Sequence, residues 1–364
     1  METVTRALTA AIGVVLLAST VTVVPLQAQP SETPNIVLIT VDNLGFGDVG
    51  VYGNKSVKTP EFDRLAAQGI RLTGFYTAGA TCTVSRAALL TGRYPQRNGL
   101  NHQLGSEENL GVGLRHSEVL LPEYLKEQGY ATGAFGKWNI GFAPGSRPTE
   151  RGFDEFYGHA SGNMDFYTHV YDGRNDLYRG TEEARVDGYA YSTDMWADAA
   201  NDFIKRHADE PFFVYLPFNA VHYNDGSNAK PGEKTATWQA PPWALKSYGI
   251  TAYDGDPQKR YWAMVTATDA AIGRVLDQLD TLGLDQNTIV IWYSDNGAFM
   301  LEDKGLAVAS NGPLRNGGNT LWEGGIRVPA IIRWPGEIDP GTVSDEPLIS
   351  LDLFNMALEV AGAD

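Results

Sequence analysis

Thr81-Cys82-Thr83-Val84-Ser85-Arg86-Ala87-Ala88-Leu89-Leu90-Thr91-Gly92-Arg93 holds the one cysteine in a chain of 364 residues. Arg86 follows four positions after the thiol, and an apolar, helix-like run ends at Thr91-Gly92. A side chain at the mouth of a helix meets unpaired backbone N–H groups and the positive end of the macrodipole. Such a position binds an oxyanion and tunes a nucleophile. A lone cysteine is ordinarily an inert, buried apolar group; its surroundings here favour chemistry.

Outward from this stretch, Asn35-Ile36-Val37-Leu38-Ile39-Thr40-Val41 is an almost continuous apolar run of strand length, the pattern of a buried parallel strand. Further strands are predicted over Tyr130–Phe135, Phe212–Leu216, Thr288–Tyr293 and Ile331–Trp334. A helix is predicted from an N-cap at Thr59, with Pro60 at N1 and Glu61 in the first turn, to Gly69. Others are predicted over Glu118–Gln128, Thr193–His207, Gln258–Leu282 and Leu351–Val360. This alternation predicts an α/β sandwich with a central, mainly parallel sheet flanked by helices. Ligands of such sheets bind at the carboxyl ends of strands. Asp42, Lys137, His222 and Asp295 each follow a predicted strand closely, so the spacing gathers them at that end. Two aperiodic regions rich in Gly, Asp, Tyr and Asn, 141–191 and 223–256, are expected to wall the pocket.

Met1 to about Pro30 reads as a secretory signal, with Arg6 as the basic start, an apolar Ala7–Val24 and an imperfect cleavage site at Leu26-Gln27-Ala28. Cleavage after residue 28 would leave a periplasmic or secreted protein with no stable membrane span. A retained anchor is the rival reading, diluted by Thr9, Ser19, Thr20 and Thr22. One cysteine permits no internal disulfide. A net charge of −16 with no basic stripe argues against a nucleic-acid partner. An anionic substrate must therefore be held by a local basic pocket.

Asp42-Asn43 and Asp295-Asn296 follow two buried strands. Singly, each pair is common turn chemistry. Together, their carboxylate and amide oxygens suit a hard cation such as Ca²⁺.

The Cys82 stretch resembles the type I, formylglycine-dependent sulfatase motif Cys-x-Pro-Ser-Arg-x-x-x-x-Thr-Gly, matching at Cys82, Ser85, Arg86, Thr91 and Gly92. Asp42 to Asp48 and Ser294-Asp295-Asn296-Gly297 resemble the family's two metal motifs, and Gly136-Lys137-Trp138 its lysine motif. Asn219-Ala220-Val221-His222 and Thr320 to Pro329 add to the resemblance, which runs from about Pro34 to Pro335. Thr91 to Tyr94, Gly99 to Gln103, Leu121 to Tyr130 and Pro148 to Asp154 look most similar to arylsulfatase B-like enzymes.

The resemblance implies an alkaline-phosphatase-like fold over residues 34–364, without the smaller C-terminal subdomain usual in the family. It implies that Cys82 becomes formylglycine through a formylglycine-generating enzyme and that Arg86 orients it. Lys137 would grip the sulfate, and His222 would assist the leaving oxygen. Ca²⁺ would be held by Asp42, Asn43, Asp295 and Asn296. The partner would be a sulfated glycan or an aryl sulfate ester.

Four positions depart from the pattern. Asn43 stands where the family has Asp, which weakens the cation site. Val84 replaces the Pro that the modifying enzyme reads. Asn139 replaces a His able to exchange a proton near neutral pH. Gly318 aligns with a second sulfate-gripping Lys, with Lys304 the one lysine nearby in sequence. These departures predict weak or absent turnover. The alternatives are a fully active arylsulfatase using formylglycine at Cys82, and a non-catalytic protein that binds sulfated glycans. A phosphate or phosphonate ester hydrolase using a Cys82 thiolate or Thr83 is a further alternative.

Overall fold

The computed structural model describes residues 33–104, 111–224, 237–252, 255–300, 302 and 307–363. The expected signal segment and Lys304 lie outside the described residues.

The strand Asn35–Val41 is the centre of the molecule. It pairs in parallel with Phe212–Pro217 on one side and Thr288–Ser294 on the other. Ala131–Lys137 adds in parallel to the Phe212 strand, and Glu155–His159 adds in parallel beyond it. Among the described residues, five parallel strands thus form the middle of a ten-stranded sheet. Ala330–Arg333 joins the Thr288 strand antiparallel, and Ile70–Leu72 joins it in turn.

The apolar runs bury both faces of this sheet, as the period of two in a strand requires. Val37, Ile39 and Val41 enter one core with Val214, Leu216, Val290 and Trp292. Ile36 and Leu38 enter the other with Phe213, Tyr215, Ile291 and Tyr293. The helices Pro60–Gln68, Ser192–Arg206 and Pro257–Thr281 cover the first face through Phe62, Trp196 and Met264. Cys82–Thr91, Leu121–Glu127 and Ser350–Ala361 cover the second through Leu89, Leu125 and Leu353. Truncating one such fully buried large side chain to alanine costs roughly 2–5 kcal/mol.

Three local expectations change. The helix expected from Glu118 begins at Leu121. Glu118 is instead buried against the Arg93 guanidinium at 2.9 Å, and Glu123 reaches back to accept from Leu120 N at 2.6 Å, which fixes the later start. Thr59 does not cap its helix with its side chain, because its hydroxyl accepts from Gly50 N at 2.9 Å. The Asp269 carboxylate, from the long Pro257 helix, takes the Glu61 and Phe62 N–H groups at 3.1 and 2.8 Å. The region 141–191 is not all loop. It supplies the Glu155–His159 strand and the antiparallel Leu177–Arg179 and Glu182–Glu183 that extend the sheet. Gly158, His159 and the short polar strands beyond it carry too little apolar alternation to signal this from sequence.

No helix among the described residues is long and apolar enough to cross a membrane.

Candidate active site

The parallel strands end together, and their last residues and the following turns carry the polar groups. Lys137 closes its strand, while Asp42 and Asp295 directly follow theirs. Cys82 is the first residue of its helix, behind an extended Thr81. The helix start therefore meets the strand ends, and all eight residues singled out from the sequence converge there.

Asp42 is held by its backbone, which donates to Ala220 O and accepts from Val221 N, both at 2.8 Å. This ties it to the loop that carries His222. The Cys82 thiol donates to Asp42 Oδ1 at 3.3 Å, and the Lys137 ammonium bonds Asp42 Oδ2. Asp295 Oδ2 receives the Arg86 guanidinium, at 2.9 Å from Nε and 2.7 Å from Nη2. Arg86 Nη1 also donates to Lys137 O at 3.1 Å and Tyr215 Oη at 3.4 Å. Asp295 Oδ1 accepts from Asn43 N at 3.2 Å, and Asn296 Nδ2 donates to Asn43 Oδ1 at 2.6 Å. Ligand atoms of Asp42, Cys82 and His222 all lie within 4.8 Å of one another. Asn43 occupies the left-handed region (φ 60°), where asparagine is better tolerated than most side chains.

Asp42, Arg86, Lys137 and Asp295 are fully buried. An unpaired charge there would be very costly, so each is paired. Burial pushes the Asp42 carboxyl up, and Lys137, His222 and Arg86 more than reverse this, leaving it below its ordinary value. Burial alone would depress Lys137, but the Asp42 carboxylate beside it leaves it raised. Burial and the nearby Asp42 charge raise Asp295 to about 6 against the opposing pull of Arg86. The Cys82 thiol is pushed strongly up, by burial first and then by Asp42. The helix start therefore does not make Cys82 a thiolate. The expectation of a tuned thiol nucleophile is corrected: as cysteine, this residue is a neutral, buried S–H.

Beside Cys82 runs a side-chain relay absent from the sequence reading. Gln103 Oε1 accepts from Thr83 N at 3.1 Å, and Gln103 Nε2 donates to Asn139 Oδ1 at 3.0 Å. Asn139 Nδ2 donates to Leu104 O at 3.1 Å, and Leu104 N donates to Thr83 Oγ1 at 3.1 Å. Both ends of the Asn139 amide are thus engaged in holding the 103–104 loop on the helix start. A loop glutamine carries no sequence signal of such a role.

His222 is half-buried, its Nδ1 2.8 Å from Tyr223 O. Its ring stacks on Tyr223 (4.8 Å between centroids) and stands perpendicular to Phe299 (6.0 Å). Phe299 also accounts for Gly318: a Cβ there would lie 2.4 Å from Phe299 Cδ1 and 2.5 Å from Gly297 O. Aromatic carbon fills the space into which a side chain at 318 would start.

A sulfatase family model matches residues 34–363. N-acetylgalactosamine-6-sulfatase of Rattus norvegicus is 37% identical over 93% of this chain and 64% of its own length. Steryl-sulfatase of Rattus norvegicus is 32% identical over 93% of this chain and 68% of its own. Arylsulfatase J of Mus musculus is 34% identical over 91% of this chain and 53% of its own. The chain thus spans a little under two thirds of the N-acetylgalactosamine-6-sulfatase. Among solved structures, Ps i-CgsB in complex with k-i-k-neocarrahexaose superposes with a TM-score of 0.81 at 31% identity, covering 91% of this chain and 72% of that one. PsFucS1 sulfatase from Pseudoalteromonas sp. superposes with a TM-score of 0.69 at 28% identity, covering 91% of this chain and 68% of that one. With the motif residues gathered at the strand ends and the family model spanning almost the whole described chain, this protein belongs to the sulfatase family, type I, with its alkaline-phosphatase-like fold.

Proposed function

We propose that the Cys82 cluster is a sulfate-ester pocket and that the chain is the catalytic part of a hydrolase of sulfated glycans or aryl sulfates. Its turnover is weak or lost through Asn43, Val84, Asn139 and Gly318. One observation carries the reading: a helix-start residue, two carboxylates and two cations are all buried at one point where the strands end. The similarity to N-acetylgalactosamine-6-sulfatases makes sulfated amino-sugar glycans the first class to test.

The residues present fit a hard cation. The donors are oxygen: the Asp42 and Asp295 carboxylates with the Asn43 and Asn296 amides. Asn296 Oδ1 is buried without a hydrogen-bond partner in the protein, an acceptor still in want of a positive group. Ca²⁺ there would supply positive charge to the sulfate oxygens. The charge count explains its use. Asp42 and Asp295 cancel Lys137 and Arg86, so these side chains alone offer an anion no net attraction. A divalent ion makes the cluster positive toward a monoanionic ester.

Converted to formylglycine, Cys82 would supply an oxygen nucleophile through its aldehyde hydrate, which its raised thiol cannot. Arg86 holds Asp295 and the end of the Lys137 strand, fixing the pocket floor. Lys137, paired with Asp42, stays charged and can grip a sulfate oxygen. His222 stands beside Asp42 and Cys82 and can pass a proton to the departing alcohol oxygen. Asn139 can neither accept nor return a proton, and no cation projects from Gly318. Loss of such an electrostatic clamp typically costs about 2.7–4 kcal/mol of transition-state stabilisation.

A second reading, binding without turnover, is favoured by Val84, which stands where the resemblance places the proline read by the modifying enzyme: Cys82 left unmodified would keep the charges in place without a nucleophile. The test is mass spectrometry of the Cys82 peptide from the exporting host, alongside sulfate release with Ca²⁺ present. Formylglycine with slow release supports the proposal. Formylglycine with rapid release overturns the expectation of a crippled site. An intact thiol with measurable affinity selects the binding protein, and an intact thiol with neither affinity nor release refutes the sulfate pocket.

A further inference from the structure

Cys82, Asp42 and His222 bring three kinds of donor to one point: a thiol sulfur, a carboxylate oxygen and an imidazole nitrogen, all within 4.8 Å of one another. A hard cation such as Ca²⁺ takes oxygen donors. Sulfur, nitrogen and oxygen together are the donor set of Zn²⁺.

The geometry fits that ion. Zn–S and Zn–O bonds of about 2.3 and 2.0 Å at a tetrahedral angle place sulfur and oxygen about 3.5 Å apart. Cys82 Sγ lies 3.3 Å from Asp42 Oδ1. With 4.8 Å as the upper bound, the His222 nitrogen has at most about 1.5 Å to close.

Two of the three ligands also have outer partners of the kind that orient metal ligands. His222 Nδ1 lies 2.8 Å from Tyr223 O. A carbonyl only accepts, so Nδ1 carries the proton and Nε2 is the nitrogen left to coordinate. Tyr223 O is held in turn by Asn163 Nδ2 at 2.6 Å. The Lys137 ammonium occupies Asp42 Oδ2, which leaves Oδ1 beside the sulfur. The Asp42 backbone bonds Ala220 O and Val221 N, tying this carboxylate to the loop of His222. Lys137 and Arg86 stay paired with Asp42 and Asp295, so their charges do not bar a cation.

We propose that the chain with Cys82 unmodified binds one Zn²⁺ through Cys82 Sγ, Asp42 Oδ1 and His222 Nε2. The thiol S–H bond breaks as the Zn–S bond forms, its proton leaves to solvent, and no electron is transferred. Three protein ligands leave the fourth tetrahedral position to water or an anionic oxygen, the arrangement of catalytic and not of structural zinc. The chemical state of residue 82 thus selects the metal. The thiol recruits Zn²⁺, whereas formylglycine has no sulfur and leaves Asp42, Asn43, Asp295 and Asn296 to a hard cation. Zinc binding needs no sulfate ester in the pocket, so it stands or falls apart from the sulfate reading.

The test uses the full chain, its Cys82 shown to be a thiol by peptide mass, loaded with Zn²⁺ alone or Co²⁺ alone. One Zn²⁺ per chain is expected to survive gel filtration. X-ray absorption at the zinc edge should show one sulfur at about 2.3 Å, with nitrogen and oxygen at about 2.0 Å. The Co²⁺ form should show a thiolate-to-metal charge-transfer band. Cys82→Ser keeps a donor to Asp42; it should abolish that band and weaken Zn²⁺ binding by more than the roughly 10–100-fold typical of losing an outer partner. His222→Gln should weaken Zn²⁺ binding similarly and remove the imidazole from the absorption spectrum. A zinc shell of nitrogen and oxygen alone overturns the proposal, as does unchanged Zn²⁺ affinity in Cys82→Ser. Failure of the folded, unaltered chain to retain zinc overturns it too. The absorption spectrum is read on the unaltered chain, so a variant that fails to fold does not shelter the proposal. Affinity for a sulfate ester is measured alongside: zinc bound through sulfur without that affinity supports the metal site and counts only against the sulfate reading.

Discussion

Gln103 donates through Nε2 to Asn139 Oδ1 at 3.0 Å while its own Oε1 accepts from Thr83 N, one residue beyond Cys82. The residue that the resemblance places at the proton-exchange position is thus part of a bracing network here. On the proposed reading, this network holds the shape of the site without that chemical group.

Asn139→His tests that separation. On a chain carrying formylglycine, we expect sulfate release to rise by about tenfold or more, with a new ionisation near neutral pH in the rate profile. The imidazole must displace the Gln103 and Leu104 contacts, so thermal stability should fall by about 1 kcal/mol. An unchanged rate and profile with folding intact would show that this position does not limit turnover.

Val84→Pro tests the modification. Val84 is the third residue of the helix that Cys82 opens, and the first intrahelical donor past it is Ser85 N, to Thr81 O at 3.0 Å. Proline at this position removes no intrahelical bond. We expect a folded variant with a larger fraction of Cys82 as formylglycine, read by peptide mass spectrometry. No increase in that fraction would clear Val84 as the obstacle.

Gly318→Lys is not expected to restore a sulfate clamp. The new Cβ meets Phe299 and also Gly297 O, which is backbone and cannot swing away. Overpacking of this kind costs roughly 1–3 kcal/mol, visible as a lowered unfolding midpoint. Phe299→Ala beside it relieves only the aromatic contact. Full stability in the single variant would contradict the geometry.

Asp269→Ala should cost about 1–2 kcal/mol, since it strips the Glu61 and Phe62 N–H groups of their acceptor. Thr59→Ala should act through the Gly50 contact and not through helix capping. Urea midpoints for the two single variants and the double variant decide this: near-additive losses fit two separate contacts.

Acid acts on the fold in two opposing directions: the buried histidines lose stability as pH falls, while Asp48, Asp269 and Asp295, raised by burial to about 7, 8 and 6, gain it. Burial lowers both His159 and His169 below the ordinary 6.5, against the opposing pull of Asp176 on the first and the Ala190 carbonyl on the second. A depressed histidine stays neutral in the folded chain while the unfolded chain takes up a proton. Their contribution is therefore complete above pH 6.5 and is lost as pH falls below it. Compared with a His159→Gln, His169→Gln variant, unfolding between pH 6.5 and the depressed values should take up more protons, because the release from Asp48, Asp269 and Asp295 is common to both proteins. Equal proton uptake by the two proteins from pH 7.5 to 5.5 would argue against two neutral buried imidazoles.

The sequence by itself determined the sheet and its contents. Runs such as Asn35–Val41 and Thr288–Ser294 are apolar on both faces, which only a sheet covered on two sides can bury. Asp42, Lys137 and Asp295 at the ends of such runs had to meet wherever parallel strands end together. The motif around Cys82 was legible for the same local reason: one short helix and its first residue. The Glu155–His159 strand was not legible, because its place comes from pairing with Ala131–Lys137 and not from its own pattern.

What only the tertiary structure decided concerns contacts between residues far apart in the chain. Burial among carboxylates holds the Cys82 thiol neutral, although its helix position alone favours a thiolate. Asp269, more than two hundred residues away, takes the capping bonds expected of Thr59. Phe299 fills the space beside Gly318, and Gln103 reaches Asn139. Electrostatics and hydrogen bonding depend on distance in space, and periodicity along the chain records only which face a residue presents.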